Sequence, residues 1–339
     1  MKAIRLNGPE NLTVEDIPEP ELRPGWAIIE MRHALICGSD KRWYKVGAHK
    51  MPLTLGHELS GIVREVANDA DQGLVGKPVS IIPLMNCGVC DVCQSGHFNL
   101  CSHYTYLGSS YDGGFAELVT APVSSLIPVP ETLGLDEVAA IDPYSVGLHA
   151  LRMAEYRGGQ SAIILGAGAI GLTTANYLLD VFGSLDVTVA DVVPEKLEIA
   201  RNLGAKTLDL KAASDLSQYR ADVVVIATAA PSAIATAILM VNKRGVITVP
   251  GISYQDISMP ARTWEQILRR EARVVGSWNY VWSAMPENEW VTTISYIAAQ
   301  RIQPRRLITH HFKLDQAVEA FETAFNDPKA NMVMFDINA

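Results

Sequence analysis

Residues 162–171 read Ala162-Ile163-Ile164-Leu165-Gly166-Ala167-Gly168-Ala169-Ile170-Gly171, an apolar run that stops in three glycines. A G-x-G-x-x-G match means little by itself. Here a short strand-like run precedes it and a helical stretch, Leu172 to Phe182, follows. In that context each glycine has a distinct role. Gly166 makes the turn, and Gly168 lets the backbone approach a pyrophosphate. Gly171 allows helix and strand to pack closely. The N-terminus of the helix then faces the phosphate charge, and Ile170, inside the glycine turn, is a cofactor-binding candidate with the glycines. Asp191 stands twenty residues beyond Gly171, at the end of the next strand candidate. A carboxylate there accepts hydrogen bonds from ribose hydroxyls and repels a 2′-phosphate, which favours NAD over NADP. Lys196 either touches the ribose as well or is a solvated helix charge. The alternative for the whole motif is a helix-start turn that binds nothing.

Outward from this stretch the pattern alternates. Asp186 to Ala190, Asp222 to Ala227, Val246 to Pro250 and Arg273 to Ser277 are β-branched runs. Helical stretches over Glu195 to Leu203 and Ser232 to Val241 separate the first three. Such alternation predicts a doubly wound parallel sheet. Upstream, Val146 to Ala154 reads as a helix, and the first third is different again. Short runs at Ala3–Leu6, Leu12–Val14, Trp26–Met31, Leu59–Val66, Pro78–Pro83 and Gly114–Val119 are divided by proline and glycine. They predict an antiparallel, barrel-like domain. Beyond the parallel sheet, Glu287 to Gln300 reads as a helix, and Leu307–Thr309 and Met332–Phe335 return to strands.

A loop projects from the first domain with Cys87, Cys90, Cys93 and Cys101, four of the five cysteines in the chain. Four thiolates so closely spaced can enclose one tetrahedral Zn²⁺ and leave no open position, so this zinc is structural. An iron–sulfur cluster and a disulfide pair are the rivals, but the ferredoxin continuation x3-Cys-Pro is missing. The fifth cysteine begins Cys37-Gly38-Ser39-Asp40, and Gly56-His57-Glu58 follows downstream. A thiolate, an imidazole and a carboxylate form a mixed site that keeps room for substrate, the pattern of a catalytic zinc. Each residue also has a plain structural alternative: a buried cysteine, a core histidine, a paired glutamate. His310-His311 are adjacent on a strand and face opposite ways, so a structural role is expected.

The chain has 339 residues and a net charge of −9, with 48% hydrophobic and 19% charged residues. Two domains are the natural expectation. The acidic balance offers no surplus to neutralise phosphates of a nucleic acid. No apolar run is long enough to span a membrane, and residues 2–25 do not read as a signal peptide, so a cytoplasmic protein is expected.

The motifs Cys37–Asp40, Gly56–Glu58, the four-cysteine loop, Asp112–Glu117, Val146–His149 and the glycine turn occur together and in order. This set resembles the zinc-dependent medium-chain dehydrogenase/reductase family, and within it the polyol dehydrogenases related to sorbitol dehydrogenase. Gly47–His49 with Leu53–Glu58, and Gly276–Tyr280 with Glu289-Trp290, resemble the galactitol-1-phosphate dehydrogenase branch. The resemblance implies an α/β fold: a GroES-like β-rich catalytic domain over 1–147 and an NAD-binding Rossmann domain over 148–281. The segment 282–339 is expected to return to the catalytic domain. It implies NAD and two Zn²⁺ per chain, with Cys37, His57, Glu58 and Asp142 at the catalytic zinc. Asp142 replaces the family's usual glutamate, so direct ligation is in question and a role behind a bound water is the alternative. Ser39 matches the hydroxyl that passes the substrate proton outward. The relay histidine usual after it is missing, which leaves ribose, water or His49 to continue the path. Ser277 and Trp278 are expected at the cofactor, Asn279 and Tyr280 are substrate or cofactor contacts by family position, and His49 and Lys41 are substrate candidates from the basic cluster. The cluster Lys41, Arg42, Lys45, His49 and Lys50 is either a phosphate-binding segment or a solvated loop.

The expected function is zinc-dependent oxidation of a secondary alcohol of a polyol phosphate to a ketose phosphate, with hydride transfer to NAD. The expected assembly is a homodimer or homotetramer. An unphosphorylated polyol or sugar acid is the alternative substrate. A nucleotide-sensing zinc protein is the alternative outside enzymes.

Overall fold

The computed structural model describes residues 1–282 and 288–338. The chain divides into two compact units, one of residues 1–142 with 282–339 and one of residues 143–281.

The first unit is built on a seven-stranded sheet. Its path runs Leu126–Pro128, Pro78–Ile81, Glu58–Val66, Trp26–Leu35, Met332–Asp336 and Ile308–Phe312, and Leu118–Pro122 also pairs with Trp26–Leu35. Every pairing is antiparallel except the last two strands of the path, which run parallel. Met332–Asp336 lies against Trp26–Leu35, so the end of the chain completes the sheet begun near its start. The alternating apolar residues of these strands enclose a core centred on Phe115, which meets Phe335 at 5.0 Å and Phe321 at 6.2 Å between ring centroids. The expected strand from Gly114 begins only at Leu118. Before that point the backbone is already committed: Phe115 donates to Leu55 and accepts from Ile4, and Gly114 donates to Gly56.

The second unit is a six-stranded sheet of parallel pairs. The order is Lys206–Asp209, Val187–Asp191, Ala162–Leu165, Ala221–Ile226, Val241–Val249 and Arg273–Gly276. This is the Rossmann order, in which the first strand in sequence lies at the reversal point of the sheet. Ala162–Leu165 is buried throughout and paired on both sides, which explains its unbroken apolar character.

Among the described residues five helices were not anticipated: the long ones Gly38–Val46, Ala261–Arg270 and Ala317–Asn326, and the short ones Asp91–Gln94 and Leu135–Ala139. The expected helix from Val146 begins at Ile141 and accommodates Pro143 in its first turn, where no intrahelical N–H bond is required. The helix expected over Leu172 to Phe182 is α-helical over Ala169–Asn176 and continues as a π turn over Tyr177–Val181. The last helix of the expected set runs Glu289–Ala298, and its expected first residue, Glu287, lies outside the described residues.

Candidate metal centres and cofactor turn

Cys37 lies just past the strand Trp26–Leu35 and is the N-cap of the helix Gly38–Val46. Three residues on, Asp40 turns back so that its Oδ2 accepts the Cys37 backbone N–H at 2.9 Å. This is the reciprocal spacing of a capping box, with cysteine in the capping position. His57 and Glu58 arrive at the start of the strand Glu58–Val66. The turn before them requires Gly56: its φ is +95°, and a Cβ there would lie 2.4 Å from the Phe115 ring. Asp40 ties the two segments together. Its Oδ1 accepts the Gly56 N–H at 3.2 Å and stands 3.6 Å from His57 Nδ1.

The ligand atoms of Cys37, His57 and Glu58 all lie within 4.8 Å of one another. Burial favours a neutral imidazole, yet the Asp40 carboxylate and the Cys37 thiolate outweigh it and hold His57 well above the ordinary histidine range. Burial pushes the Cys37 thiol up, but His57 and a hydrogen bond from Ser39 bring it below its ordinary value. Glu58 is raised well above the usual carboxylate range, first by burial and then by the Cys37 thiolate, with Asp142 adding to it. A half-buried thiol and two buried groups, mutually perturbed, fit a divalent metal, whose charge would answer the thiolate and carboxylate together. Asp142 is buried and in electrostatic reach of Glu58, but it stands outside the close group of three.

The four cysteines of the loop form the second group, again with all ligand atoms within 4.8 Å. Cys87 and Cys93 sulfurs are 4.0 Å apart, and Cys90 and Cys101 sulfurs 3.9 Å. A tetrahedron with zinc–sulfur bonds of about 2.3 Å has edges of about 3.8 Å. The separations therefore suit four ligands around one ion. They exceed a disulfide bond of about 2.05 Å, so the disulfide alternative falls. Cys101 accepts N–H bonds from Cys87 at 3.3 Å and His103 at 3.4 Å, and Cys93 is 3.7 Å from the Asn86 amide. Backbone N–H groups of Ser102 and Cys93 bring Cys90 to about 6, while burial lifts Cys93 to about 11.

In the second unit the glycine turn links the central strand to the helix Ala169–Asn176, with Gly168 as N-cap. A Cβ on Gly171 would lie 1.9 Å from the Gly166 carbonyl, whereas at Gly168 it would meet nothing within 4 Å. The turn is therefore closed on the packing side and open at Gly168, where a ligand could approach the protein backbone. Asp191 braces it: Oδ2 accepts the Ala167 N–H at 2.6 Å and Oδ1 accepts those of Val192 and Val193 at 2.7 and 3.0 Å. Ile170 and Lys196 lie in the first turns of the two helices that flank Asp191. Ser277 Oγ and Asn279 Nδ2, just past the strand Arg273–Gly276, are buried polar atoms with no hydrogen-bond partner among the described residues. Trp278 lies between them, half-buried.

Of the cluster that follows Cys37, Lys41, Lys45 and His49 are engaged with other parts of the first unit. Lys41 donates to the Ala324 carbonyl at 2.6 Å and lies 4.9 Å from the Phe325 ring centroid, so it is directed at the helix Ala317–Asn326. Lys45 pairs with Glu10 and also approaches Phe325. His49 packs on Trp43 at 4.6 Å between centroids. His310 and His311 point to different carboxylates, Asp327 and Asp336, as adjacent strand residues should. Sequence reasoning assigned Asp40 no role. The signal was there in the three-residue spacing from Cys37, masked because cysteine is not a usual helix cap.

Residues 23–131 match the alcohol dehydrogenase GroES-like domain, and residues 142–334 the glucose dehydrogenase C-terminus. Galactitol 1-phosphate 5-dehydrogenase of Escherichia coli K12 is 32% identical over 294 residues, 84% of this chain and 85% of its own. Sorbitol dehydrogenase of Bacillus subtilis 168 is 27% identical over 96% of this chain and 93% of its own. Among solved structures, an alcohol dehydrogenase from Escherichia coli CFT073 complexed with NADH superposes with a TM-score of 0.91. It is 26% identical and covers 99% of both chains.

Proposed function

The chain belongs to the zinc-dependent medium-chain dehydrogenase/reductase family, and from that premise we propose that it oxidises a secondary alcohol of a polyol phosphate, with NAD as acceptor. The observation that carries the chemistry is the convergence of Cys37, His57 and Glu58 with Asp40 behind the imidazole. These three side chains would hold the catalytic zinc, which supplies Lewis acidity that makes a bound hydroxyl easier to deprotonate. Asp40 orients His57 by occupying Nδ1, so that Nε2 is the nitrogen left to the metal. Ser39 receives the substrate proton, and its hydroxyl already rests on the Cys37 sulfur. Asp142 acts electrostatically through Glu58. In the second unit the glycine turn takes the pyrophosphate and Asp191 the ribose, which favours NAD over NADP. Ser277 and Asn279 offer orphaned polar atoms for a ligand. The four-cysteine loop holds the second zinc.

The phosphate on the substrate rests on the likeness to galactitol 1-phosphate 5-dehydrogenase and on the Gly47–Glu58 and Gly276–Tyr280 stretches. One observation favours an unphosphorylated polyol instead: Lys41 and Lys45 are directed at Phe325 and its helix. Initial rates with NAD⁺ and NADP⁺ on galactitol 1-phosphate, galactitol and sorbitol separate the readings. A much larger kcat/KM for the phosphate supports the first. Equal turnover of the free polyols supports the second, and no NADH with any polyol sinks both.

A further inference from the structure

A cleft of about 520 Å³ opens in the second unit at the end of the sheet away from the glycine turn. Gln160 in its lining precedes the strand Ala162–Leu165, and Arg273 opens the strand Arg273–Gly276, whereas the glycine turn follows Leu165. Its volume lies within the roughly 300–1,000 Å³ of small-molecule sites. Three arginines line it, Arg157, Arg244 and Arg273, in a chain whose acidic residues outnumber its basic ones by 37 to 28. Arg273 pairs with Glu155 at 2.9 Å. That hydrogen bond holds the Glu155 carboxyl below its usual range, and the charge of Arg157 adds to the effect across the same space. Among the described residues neither Arg157 nor Arg244 forms an ion pair of its own. The backbone supplies a second observation. Glu155, Arg244 and Glu271 have φ of +52°, +61° and +49°, half of the six non-glycine residues found in the left-handed region, and all three line this cleft. Glycine adopts that conformation without the steric cost that a Cβ brings. At each of these positions the chain carries a charged side chain where glycine is the easier residue. At Arg244 this happens in a register break, where pairing with Ala221–Ile226 passes from Val241 to Val246. Strained backbone gathered around one cleft marks side chains with a use beyond folding.

We propose that this cleft binds a phosphorylated small molecule that also carries hydroxyl groups, at a site separate from the cofactor turn. Two unpaired guanidinium groups suit a phosphate, whose charge and three terminal oxygens call for more than the single fork that satisfies a carboxylate. Gln160 turns its Oε1 to the Arg157 N–H at 2.6 Å, which leaves its amide N–H groups for a ligand oxygen. Glu271 offers acceptors for hydroxyl groups. With Arg273 held by Glu155, the remaining charge of the cleft is positive, two guanidinium groups against one carboxylate. None of these residues belongs to the groups assigned to metal, cofactor or substrate, so the site stands or falls independently of the proposed oxidation.

Isothermal titration calorimetry on the full chain, at fixed ionic strength, tests this with inorganic phosphate, glucose 6-phosphate and glucose. Wild-type protein is expected to bind both phosphates saturably, glucose 6-phosphate the more tightly, and glucose not at all. Arg157→Ala/Arg244→Ala should weaken both by about tenfold or more, the effect of losing charge-assisted hydrogen bonds. Arg64→Ala/Lys77→Ala removes the same charge from exposed ion pairs of the first unit and should leave both affinities unchanged. Phosphate bound at the metal group of the first unit would be insensitive to Arg157 and Arg244, which keeps the two sites distinguishable. Arg244→Gly removes one guanidinium and relieves the left-handed backbone, so it should keep or raise Tm while losing phosphate affinity. Saturable binding that the Arg157→Ala/Arg244→Ala protein keeps, equal weakening in Arg64→Ala/Lys77→Ala, or no saturable binding of either phosphate by the wild type would each overturn the proposal.

Discussion

Asp40 is fully buried, and a buried carboxylate is tolerated where hydrogen bonds and opposite charge answer it. Here the Cys37 and Gly56 N–H groups and the His57 imidazole do so. Asp40→Asn keeps the shape and removes the charge. Loss of such a partner behind a metal-binding histidine costs roughly 10- to 100-fold in metal affinity or activity. The expected variant is folded, retains the four-cysteine zinc and loses much of its turnover. Wild-type kcat with full metal content would show that Asp40 only shapes the turn. The pKa directions add a pH prediction. Against its burial, Asp40 and the Cys37 thiolate raise His57, so with no metal bound it holds its proton more tightly than an ordinary histidine, and a metal ion binds the neutral ring. Zinc must displace that proton, so loading at this centre weakens as pH falls. Calorimetry in two buffers of different ionisation enthalpy should detect proton release on zinc binding. The loop cysteines were legible as a group because four thiolates so closely spaced suit few roles besides metal binding, whereas Cys37 and His57 each kept a plain structural alternative and stood out through the resemblance of their motifs. Asp40 was not, because its role comes from a helix whose cap is itself a ligand.

At the scale of elements, the glycine turn and the strands around it were legible because parallel, doubly covered strands carry continuous apolar runs. The helix Gly38–Val46 was not. It carries Lys41, Arg42 and Lys45, which read as a basic loop, and its apolar contacts come from Trp43 and Tyr44 packed on distant segments. The helix Ala261–Arg270 hid for a related reason: its anchor is an arginine buried through distant carbonyls. The turn carrying His57 depends on one glycine. Gly56→Ala forces a Cβ into the left-handed region and against Phe115, which together should cost about 2–5 kcal/mol. A clear drop in Tm together with loss of the catalytic but not the structural metal is the expected result. An unchanged Tm would mean that Phe115 yields and that the packing is looser than described.

At the scale of the molecule, the chain has a β-rich unit that gathers both groups of side chains able to hold a metal and a parallel-sheet unit that carries the glycine turn. That plan could be anticipated because the two units differ in the period and continuity of their apolar residues. Substrate identity could not, since it depends on side-chain directions such as that of Lys41, which sequence spacing does not give. Among the described residues no helix is long and apolar enough to cross a membrane. The central claim is that Cys37, His57 and Glu58 hold a catalytic metal distinct from the one in the loop. Comparing wild-type protein with Cys37→Ser, for NADH formation on a polyol panel and zinc content of the same samples, tests it most directly. The expected result is two zinc ions and polyol-dependent NADH in the wild type, and one zinc with activity almost abolished in the variant. Full activity of the variant at one zinc per chain would contradict it.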